Sequence, residues 1–247
     1  MVQIFNIRSA GCYPSSNQEI PEGKRPSIWG FYSLNAGNAL VRDIVIQDTK
    51  AYVAGVFDYI APNTGSLVML NESDQTLLPE LNCPYYEIDG SVNQIISDGS
   101  GNAIIVGVFS HVFGVKRKAV AKVKSDCTLD STFNVNMADS TAEVRSALVH
   151  NGKLFIAGVF SGTFSTTGSE TRSNLALVNL STGALDTSWN TGANGDVNVI
   201  GSDGTSLYLG GSFGQVGGAT VNNLAKVDLS TGTTISTLGE PDALVQA

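Results

Sequence analysis

One segment of the sequence matches the pattern of a catalytic serine. Residues 210–214 read Gly-Gly-Ser-Phe-Gly, which fits the Gly-x-Ser-x-Gly nucleophile elbow of hydrolases. That motif works on a sharp turn from a strand into a helix, with an acid and a histidine downstream. No histidine follows this segment, and three related segments carry Val56, Val108 and Val159 where it has the serine. We therefore interpret it as part of a repeat and predict no catalytic residue.

Residues that bind metals or activate nucleophiles are few and scattered. The two histidines, His111 and His150, do not lie in a metal-ligand pattern such as His-Glu-x-x-His. Residues 98–102 alternate oxygen-bearing side chains as a calcium loop does, but Phe109 stands where that loop needs a bidentate glutamate. The sequence predicts a turn there, and it indicates neither a metal site nor a cofactor.

The three cysteines do not form a metal-binding pattern. Cys12, Cys83 and Cys127 have no Cys-x-x-Cys spacing. A disulfide between Cys83 and Cys127 and free thiols are alternatives. Ser9–Cys12 resembles the end of a bacterial lipoprotein signal, which implies a lipid anchor on Cys12. The apolar stretch before it is shorter than a signal needs, so an ordinary N-terminal tail is the alternative.

A few residues are candidates for binding anions or sugars. Lys116–Lys118 is the one basic cluster. A solvated loop is its expected role, with an anion or glycan contact as the alternative. Aromatic rings stack on sugar rings, but Trp189 aligns with Phe133 in a repeated hexapeptide and is expected to pack between sheets. The aromatic candidates are Trp29, Tyr85, Tyr86, Trp189 and Tyr208.

Composition excludes several classes of protein. The chain has 247 residues, 14 Lys and Arg against 22 Asp and Glu, and a net charge of −8. This acidic balance argues against a nucleic-acid partner, because such proteins present basic surfaces. No apolar run is long enough for a transmembrane helix. The 27 glycines, with many Ser, Thr, Asn and Asp residues between short apolar runs, are typical of strands joined by tight turns.

A tetrad ending in Gly-x-Phe occurs four times and determines the expected architecture. The four phenylalanines are 52, 51 and 53 residues apart. The glycine is expected to let a strand approach a crowded axis, and the phenylalanine is expected to fill the wedge between neighbouring sheets. The signature residues are Gly55 and Phe57, Gly107 and Phe109, Gly158 and Phe160, and Gly211 and Phe213.

Each tetrad lies at the same place in a unit of four short strands. A first strand begins at Val41, Val92, Val144 or Val197, and a second strand ends in the tetrad. Three of the turns between them carry Asn-Gly or Asp-Gly, which favour positive φ at both central residues. A third apolar run and a weaker closing hexapeptide follow, in which Asp130 and Asp186 are expected to cap turns.

This period predicts an all-β fold, a β-propeller with four-stranded blades, since known propeller units have 40 to 50 residues. A β-solenoid is the alternative. Residues 1–37 form an N-terminal tail with a potential closing strand, and the propeller covers 38–247. Its repeats are 38–90, 91–142, 143–195 and 196–241, with a partial fifth at 242–247 because Ala243–Val245 resembles Ala39–Val41. The blades would belong to a five-bladed ring or to part of a larger one.

The repeats resemble the bacterial delta-sixty-type repeat, a family of uncertain function classed with β-propellers and kelch-like in blade size. The resemblance is strongest at 210–213, 216–218 and 222–225, and weakest in the first repeat. It implies the fold and no established activity.

The functional expectation is a non-enzymatic module, extracellular or in the cell envelope of a bacterium, that presents loops to a protein or glycan partner. Loops that depart most from the repeat are expected to form the binding face. They are Asp58–Ser66, Ser110–Ala119 and Ser161–Asn174. One alternative is a hydrolase or lyase with acids from different repeats at the ring axis, where their pKa values would be raised. Another is a structural section of a larger surface protein.

Overall fold

The computed structural model describes eight stretches of the chain. They are 31–32, 40–47, 50–56, 59–60, 67–71, 88–126, 128–164 and 170–235. In the first repeat, side-chain exposure is described only at 42–44 and at Ala54. Predictions that lie outside the described residues concern Cys12, Cys83, Cys127, Trp29, Phe57, Tyr85, Tyr86, most of 58–66 and the partial repeat 242–247.

All the regular secondary structure in the described stretches is β-strand, and no helix there is long and apolar enough to cross a membrane. The first repeat contains β2 (Leu40–Gln47), β3 (Lys50–Val56), β4 (Tyr59–Ile60) and β5 (Leu67–Asn71), preceded by β1 (Phe31–Tyr32). The second contains β6 (Ser91–Ser97), β7 (Ala103–Val108), β8 (His111–Val112), β9 (Val115–Lys116) and β10 (Val120–Val123). The third contains β11 (Glu143–His150), β12 (Lys153–Thr163) and β13 (Thr171–Asn179). The fourth contains β14 (Asp196–Ser202), β15 (Ser206–Ser212), β16 (Gln215–Val216), β17 (Ala219–Thr220), β18 (Leu224–Asp228) and β19 (Thr234–Ile235).

Three predicted strands of each repeat form one antiparallel sheet. The strand orders are β2-β3-β5, β6-β7-β10, β11-β12-β13 and β14-β15-β18-β19. Successive repeats contact each other through their first strands, β2 with β6, β6 with β11 and β11 with β14. Within the described stretches the four sheets are separate, and strands pair only within each sheet.

Among the described repeats two to four, the predicted fourth strand is a full sheet member only in the last, where β19 pairs with β18. In the two middle repeats it shrinks to single bridges, Val123 with Leu129 and Val178 with Leu185. The residue after each bridge explains why pairing stops. Asp130 accepts hydrogen bonds from the backbone N–H and hydroxyl of Thr132, and Asp186 does the same with Ser188. These Asx turns divert the chain from the sheet, as the capping prediction anticipated.

Only one of the three Gly-containing turns has positive φ at both central residues. Asn151 has φ 47° and Gly152 has φ 71°, in a two-residue hairpin. At Asp98 and Asp203 the prediction was wrong, because only the glycines there have positive φ. The Asp98 carboxylate accepts hydrogen bonds from the backbone N–H groups of Ser100 and Asn102. The Asp203 carboxylate accepts hydrogen bonds from the backbone N–H groups of Thr205 and Ser206. These bonds favour longer turns.

A one-residue bulge recurs in the first strand of all four sheets. It directly follows the valine that stands at the same repeat position in each strand: Val41, Val92, Val144 or Val197. The signature glycine pairs with that valine. A Cβ atom on Gly158 would lie 2.0 Å from the backbone oxygen of Glu143. The glycine is therefore required by a carbonyl of its own bulged sheet, which is a different cause from the crowded axis expected from the sequence. Gly107 and Gly211 have the same environment, with oxygens of Ser91 and Asp196 at 2.1 Å.

The hydrophobic core consists of three clusters, one between each pair of successive repeats. Phe160 shares a cluster with Ile104 of the preceding repeat, and Phe109 and Phe213 belong to the other two clusters. The closing aromatic residues Phe133 and Trp189 pack against the following repeat. The row of sheets is therefore held together by wedges of aromatic and aliphatic side chains.

A candidate binding cleft between the third and fourth repeats

After the signature phenylalanine, the second and fourth repeats leave the sheet and form a short hairpin, whereas in the third repeat β12 and β13 stay paired beyond Phe160. We call these the loop hairpins: 110–119, 161–173 and 214–223. They contain β8 and β9, the outer ends of β12 and β13, and β16 and β17. Two of them coincide with loops expected to form a binding face.

An acidic or amide side chain fixes the base of each loop hairpin. Asp89 Oδ1 accepts the backbone N–H groups of Ser110 and His111 at 2.6 and 2.8 Å. Asn194 Oδ1 accepts those of Gly214 and Gln215 at 2.8 and 2.9 Å. In the third repeat, Asp139 accepts the N–H of Ser161 at 2.9 Å. The signal was present in the sequence, since Asp89 and Asn194 lie three residues before the valine of the first strand.

A short segment before each first strand also pairs with the loop hairpin. The bridges join Ile88 to Val112, Met137 to Phe164 and Ala193 to Val216. In the first repeat, β1 pairs with β4 through Phe31 and Ile60. Residues 31–32, which the sequence places in the N-terminal segment, thus pair with the loop of the first repeat.

A cleft of about 290 Å³ lies between the loop hairpins of the third and fourth repeats. We call it the Asn194 cleft. Its polar side chains are all uncharged apart from Arg172, and Gly192 and Gly218 contribute backbone. The uncharged polar lining residues are Thr171, Ser173, Asn190, Asn194 and Gln215.

A second cleft of about 350 Å³ adjoins it and shares Asn190. We call this the Thr191 cleft, and it is lined mainly by hydroxyl groups and glycine backbone. The Thr191 hydroxyl donates to the carbonyl of Gly232, and the Thr234 hydroxyl donates to that of Val216 at 2.8 Å. Asn190, exposed between the clefts, can contact a ligand in either.

Arg172 is the only cation at the Asn194 cleft, and its guanidinium already contacts other groups of the protein. The residue is 3% exposed. Its guanidinium donates to the carbonyls of Thr171 at 2.8 Å and of Asp186 and Trp189 at 3.5 Å, with Glu170 Oε2 also at 3.5 Å. Arg117 occupies the equivalent place in the second repeat and donates to Lys116 and Asp130 carbonyls. The buried arginines hold the closing hexapeptides in place, a role the sequence did not reveal because the fourth repeat has Val221 there.

The basic cluster does not form a joint anion site. Arg117 is 6% exposed, which contradicts a solvated loop for this residue. Lys118 donates its ammonium to the Ser140 carbonyl at 2.7 Å, and only Lys116 is exposed without such a contact. The three basic side chains therefore lie in different environments and do not converge on one site.

The remaining candidates from the sequence lie apart from the clefts. His111 Nδ1 contacts Asp89 Oδ2 at 2.8 Å on an exposed surface, and His150 Nε2 contacts the Asn151 amide at 2.9 Å. Trp189 is 1% exposed and lies 5.4 Å from Phe155 in an edge-to-face contact, so it packs between sheets as expected. Tyr208 donates its hydroxyl to Asp203.

The segment that resembles a calcium loop, residues 98–102, is a turn whose aspartate pairs with the ammonium group of a lysine. Asp98 accepts hydrogen bonds from the backbone and side chain of Asn102, and Lys122 Nζ lies 3.2 Å from its Oδ2. Burial alone would raise the pKa of Asp98, but these donors outweigh burial and lower it. Among the described residues, no three His, Cys, Asp or Glu side chains are grouped as metal ligands.

Acidic residues of different repeats do approach each other at the first strands. Arg145 donates to Glu143 of its own repeat at 3.2 Å, and to Asp196 and Asn198 of the next at 3.1 and 2.6 Å. Burial alone would lower the pKa of Arg145, but these two carboxylates outweigh burial and raise it. One half-buried cation thus bridges the two carboxylates.

Comparison with known proteins identifies the type of repeat. A family model described as a beta-propeller domain of unknown function (DUF5122) matches residues 97–133. No curated protein matches the chain. Among solved structures, the computationally designed Ika8 protein is similar at 11% identity and a TM-score of 0.50, over 87% of this chain and 54% of that one. The chain thus spans about half the length of Ika8. The computationally designed Ika4 protein is similar at 9% identity and a TM-score of 0.47, over 76% of this chain and 94% of that one. Together with the repeated all-β sheets, the family match at residues 97–133 supports a β-propeller repeat of unknown function.

Proposed function

We propose that this propeller domain is a non-enzymatic binding module whose loop hairpins contact a protein or glycan, and that the two clefts bind a neutral, hydroxyl-rich glycan. The observation that carries the proposal is the lining of the Asn194 cleft. Amide and hydroxyl side chains surround it, and its one guanidinium is tied to protein carbonyls. Such groups both donate and accept hydrogen bonds, as sugar hydroxyls require.

The rival function is a hydrolase or lyase with acids at the first strands. Its support is the approach of Glu143 and Asp196 from different repeats. Against it, Arg145 holds both as an ion-paired group. This ion pairing favours binding over catalysis.

The proposal extends to the repeat family and the compartment. The motifs at 210–213 and 222–225 support the delta-sixty type, and Ser9–Cys12 supports display on a bacterial envelope through a lipid on Cys12. The intact mass of the protein from membrane and soluble fractions tests the anchor. An acylated species starting at Cys12 supports it, and an unmodified soluble species contradicts it.

The binding proposal is tested with Asn190→Ala combined with Gln215→Ala. Both side chains line the clefts and are exposed, so their loss should leave the fold intact. A glycan array identifies the probe, and calorimetric titration with that glycan measures affinity. We expect at least a tenfold loss of affinity with an unchanged melting temperature. Ser181→Ala, on an exposed turn of the third repeat, is the matched control.

Two results would count against the glycan. If no neutral glycan binds the wild-type chain, or if the double variant binds as tightly as Ser181→Ala, the clefts are not the site. Turnover of a glycan that disappears in Glu143→Gln would favour the hydrolase or lyase.

A further inference from the structure

One apolar position in the first strand of each repeat is buried in the last three repeats and exposed in the first. Ile95, Ala147 and Ile200 stand at the same offset after the bulge and are 2%, 4% and 8% exposed, each covered by the preceding repeat. Ile44 of the first repeat is 57% exposed. The first repeat therefore presents an uncovered apolar position, on what we call its back face.

The fourth repeat has the matching uncovered surface, which we call its forward face. Leu224 aligns with Val120 and Leu175, which are buried against the following repeat, yet Leu224 is only half-buried. The ion pair of Lys122 and Asp98 recurs nearby as Lys226 with Asp203. The side chains of the first pair are 7% and 4% exposed, whereas those of the second are 28% and 41% exposed.

A ladder of hydrogen bonds crosses each contact between repeats, from a side chain in one first strand to a backbone N–H in the next. Asp43 accepts from Ile95 at 2.9 Å, Gln94 from Ala147 at 2.6 Å and Ser146 from Ile200 at 3.2 Å. At each of these contacts the acceptor belongs to the earlier repeat. A contact without an acceptor would bury an unpaired N–H, at a cost in stability.

The two ends of the ladder are complementary to each other. The N–H of Ile44 donates to its own Asp43 Oδ1 at 2.9 Å. At the other end, Val199 stands where the acceptor would be and can accept no hydrogen bond. A contact between the fourth repeat and a first repeat would thus place an apolar side chain beside an N–H that needs no partner.

We infer that the forward face of the fourth repeat docks on the back face of the first repeat of a second copy of this chain. The docked surface continues the contact that the chain already makes three times internally. A second copy fits because its fourth repeat offers the matching features, a half-buried Leu224 and a Val199 that needs no hydrogen-bond partner. Such a head-to-tail contact closes when two copies satisfy each other and otherwise extends into a longer series.

The test blocks the two faces separately and then mixes the variants. Ile44→Asp blocks the back face, and Leu224→Asp blocks the forward face. Light scattering after gel filtration gives the mass of each at about 100 µM. We expect wild-type protein at twice 25.8 kDa or in a series that grows with concentration, and each variant at 25.8 kDa. An equimolar mixture should regain a dimer, because each variant keeps the face the other lacks.

Circular dichroism and melting temperature confirm that both variants fold, and Ser181→Ala should assemble as wild type. A monomeric wild-type chain would overturn the inference. So would a variant that still assembles, or a mixture that stays monomeric, since the latter indicates a symmetric contact and not a head-to-tail one. None of these results depends on glycan binding.

Discussion

Gly158 illustrates how strongly a single atom can be constrained in this domain. The space where its Cβ would lie is filled by the backbone oxygen of Glu143 and the Cα of Val144. Neither atom can rotate away as a side chain would, because both belong to a bulged strand that is paired on one side. The sequence predicted the importance of this glycine from its recurrence. It did not reveal the cause, because a bulge is a property of strand register and not of residue type.

We expect Gly158→Ala to destabilise the protein by about 2–3 kcal/mol, the usual cost of forcing extra volume into packed structure. Urea unfolding measures it. Gly201→Ala is the control, because Gly201 lies in β14 with no atom within 4 Å of its Cβ position and no positive φ. That change should be neutral or stabilise by about 0.5 kcal/mol. Equal effects of the two changes would show that the close approach is relieved by a small strand shift.

The pH dependence of stability should carry a contribution from Asp186. A hydrogen bond from Lys153 at 2.6 Å, with others from Ser188, lowers its pKa from 3.8 to about 2. A folded-state pKa below the unfolded value stabilises the folded protein above pH 4, and the effect is lost as the pH falls towards 2. Because Lys153 is partly exposed, solvent screening reduces this to about 1 kcal/mol.

Asp186→Asn should therefore destabilise the protein at pH 7, and the difference from wild type should shrink by pH 2. Denaturant titration at both values measures it. In a Lys153→Met background most of the pH dependence should vanish. A pH-independent difference would mean that the turn made with Ser188, and not the ion pair, is the source of stability.

At the scale of elements, the ladder between first strands sets how one sheet sits on the next. Each rung couples a side chain to the residue that follows the bulge of the next repeat. The strands themselves were predictable, because alternating apolar residues and glycine turns mark them in the sequence. The rungs were not, since Asp43, Gln94 and Ser146 have different side chains and share only the ability to accept a hydrogen bond.

We expect Ser146→Ala to leave the buried N–H of Ile200 without its partner. The protein should lose about 1–2 kcal/mol of stability, since an unpaired buried donor costs its desolvation energy. The amide of Ile200 should exchange its hydrogen faster than in wild type, as followed by NMR. Ser146→Thr keeps the hydroxyl and should exchange more slowly than the alanine variant. If hydrogen exchange at Ile200 is unchanged in Ser146→Ala, the hydrogen bond from Ile200 N–H to Ser146 does not stabilise this contact.

At the scale of the whole molecule, the domain is a row in which each core cluster belongs to two neighbouring repeats only. The period of about 52 residues was enough to predict an all-β repeat fold, because each repeat has to bury its faces against copies of itself. The number of blades stays a prediction. The clefts were not predictable. They depend on how close two loop hairpins come across a contact, and two strands, β14 and β15, separate Gln215 from Asn190 and Asn194 in the sequence. The fourth strand was predicted in every repeat and is only a bridge in two.

Such a row should respond locally to a cavity. Leu209→Ala lies in the cluster with Trp189, and Ile104→Ala lies in the preceding cluster. Each should cost about 2–5 kcal/mol. In a Trp29→Phe background, the fluorescence of Trp189 should report an earlier urea midpoint for Leu209→Ala than for Ile104→Ala. Equal midpoints would show that the repeats unfold as one cooperative unit.

The ladder also bears on how such a chain can evolve. Its donors are backbone N–H groups, which are the same at every residue except proline, and its acceptors are any of several short polar side chains. A duplicated or deleted 52-residue stretch of the gene would bring Asp43 to the N–H of Ala147, or Gln94 to that of Ile95, with every bond still made. Repeats can therefore be gained or lost by unequal recombination without new compensating mutations, and selection on repeat number is free to act on the size of the assembled surface alone.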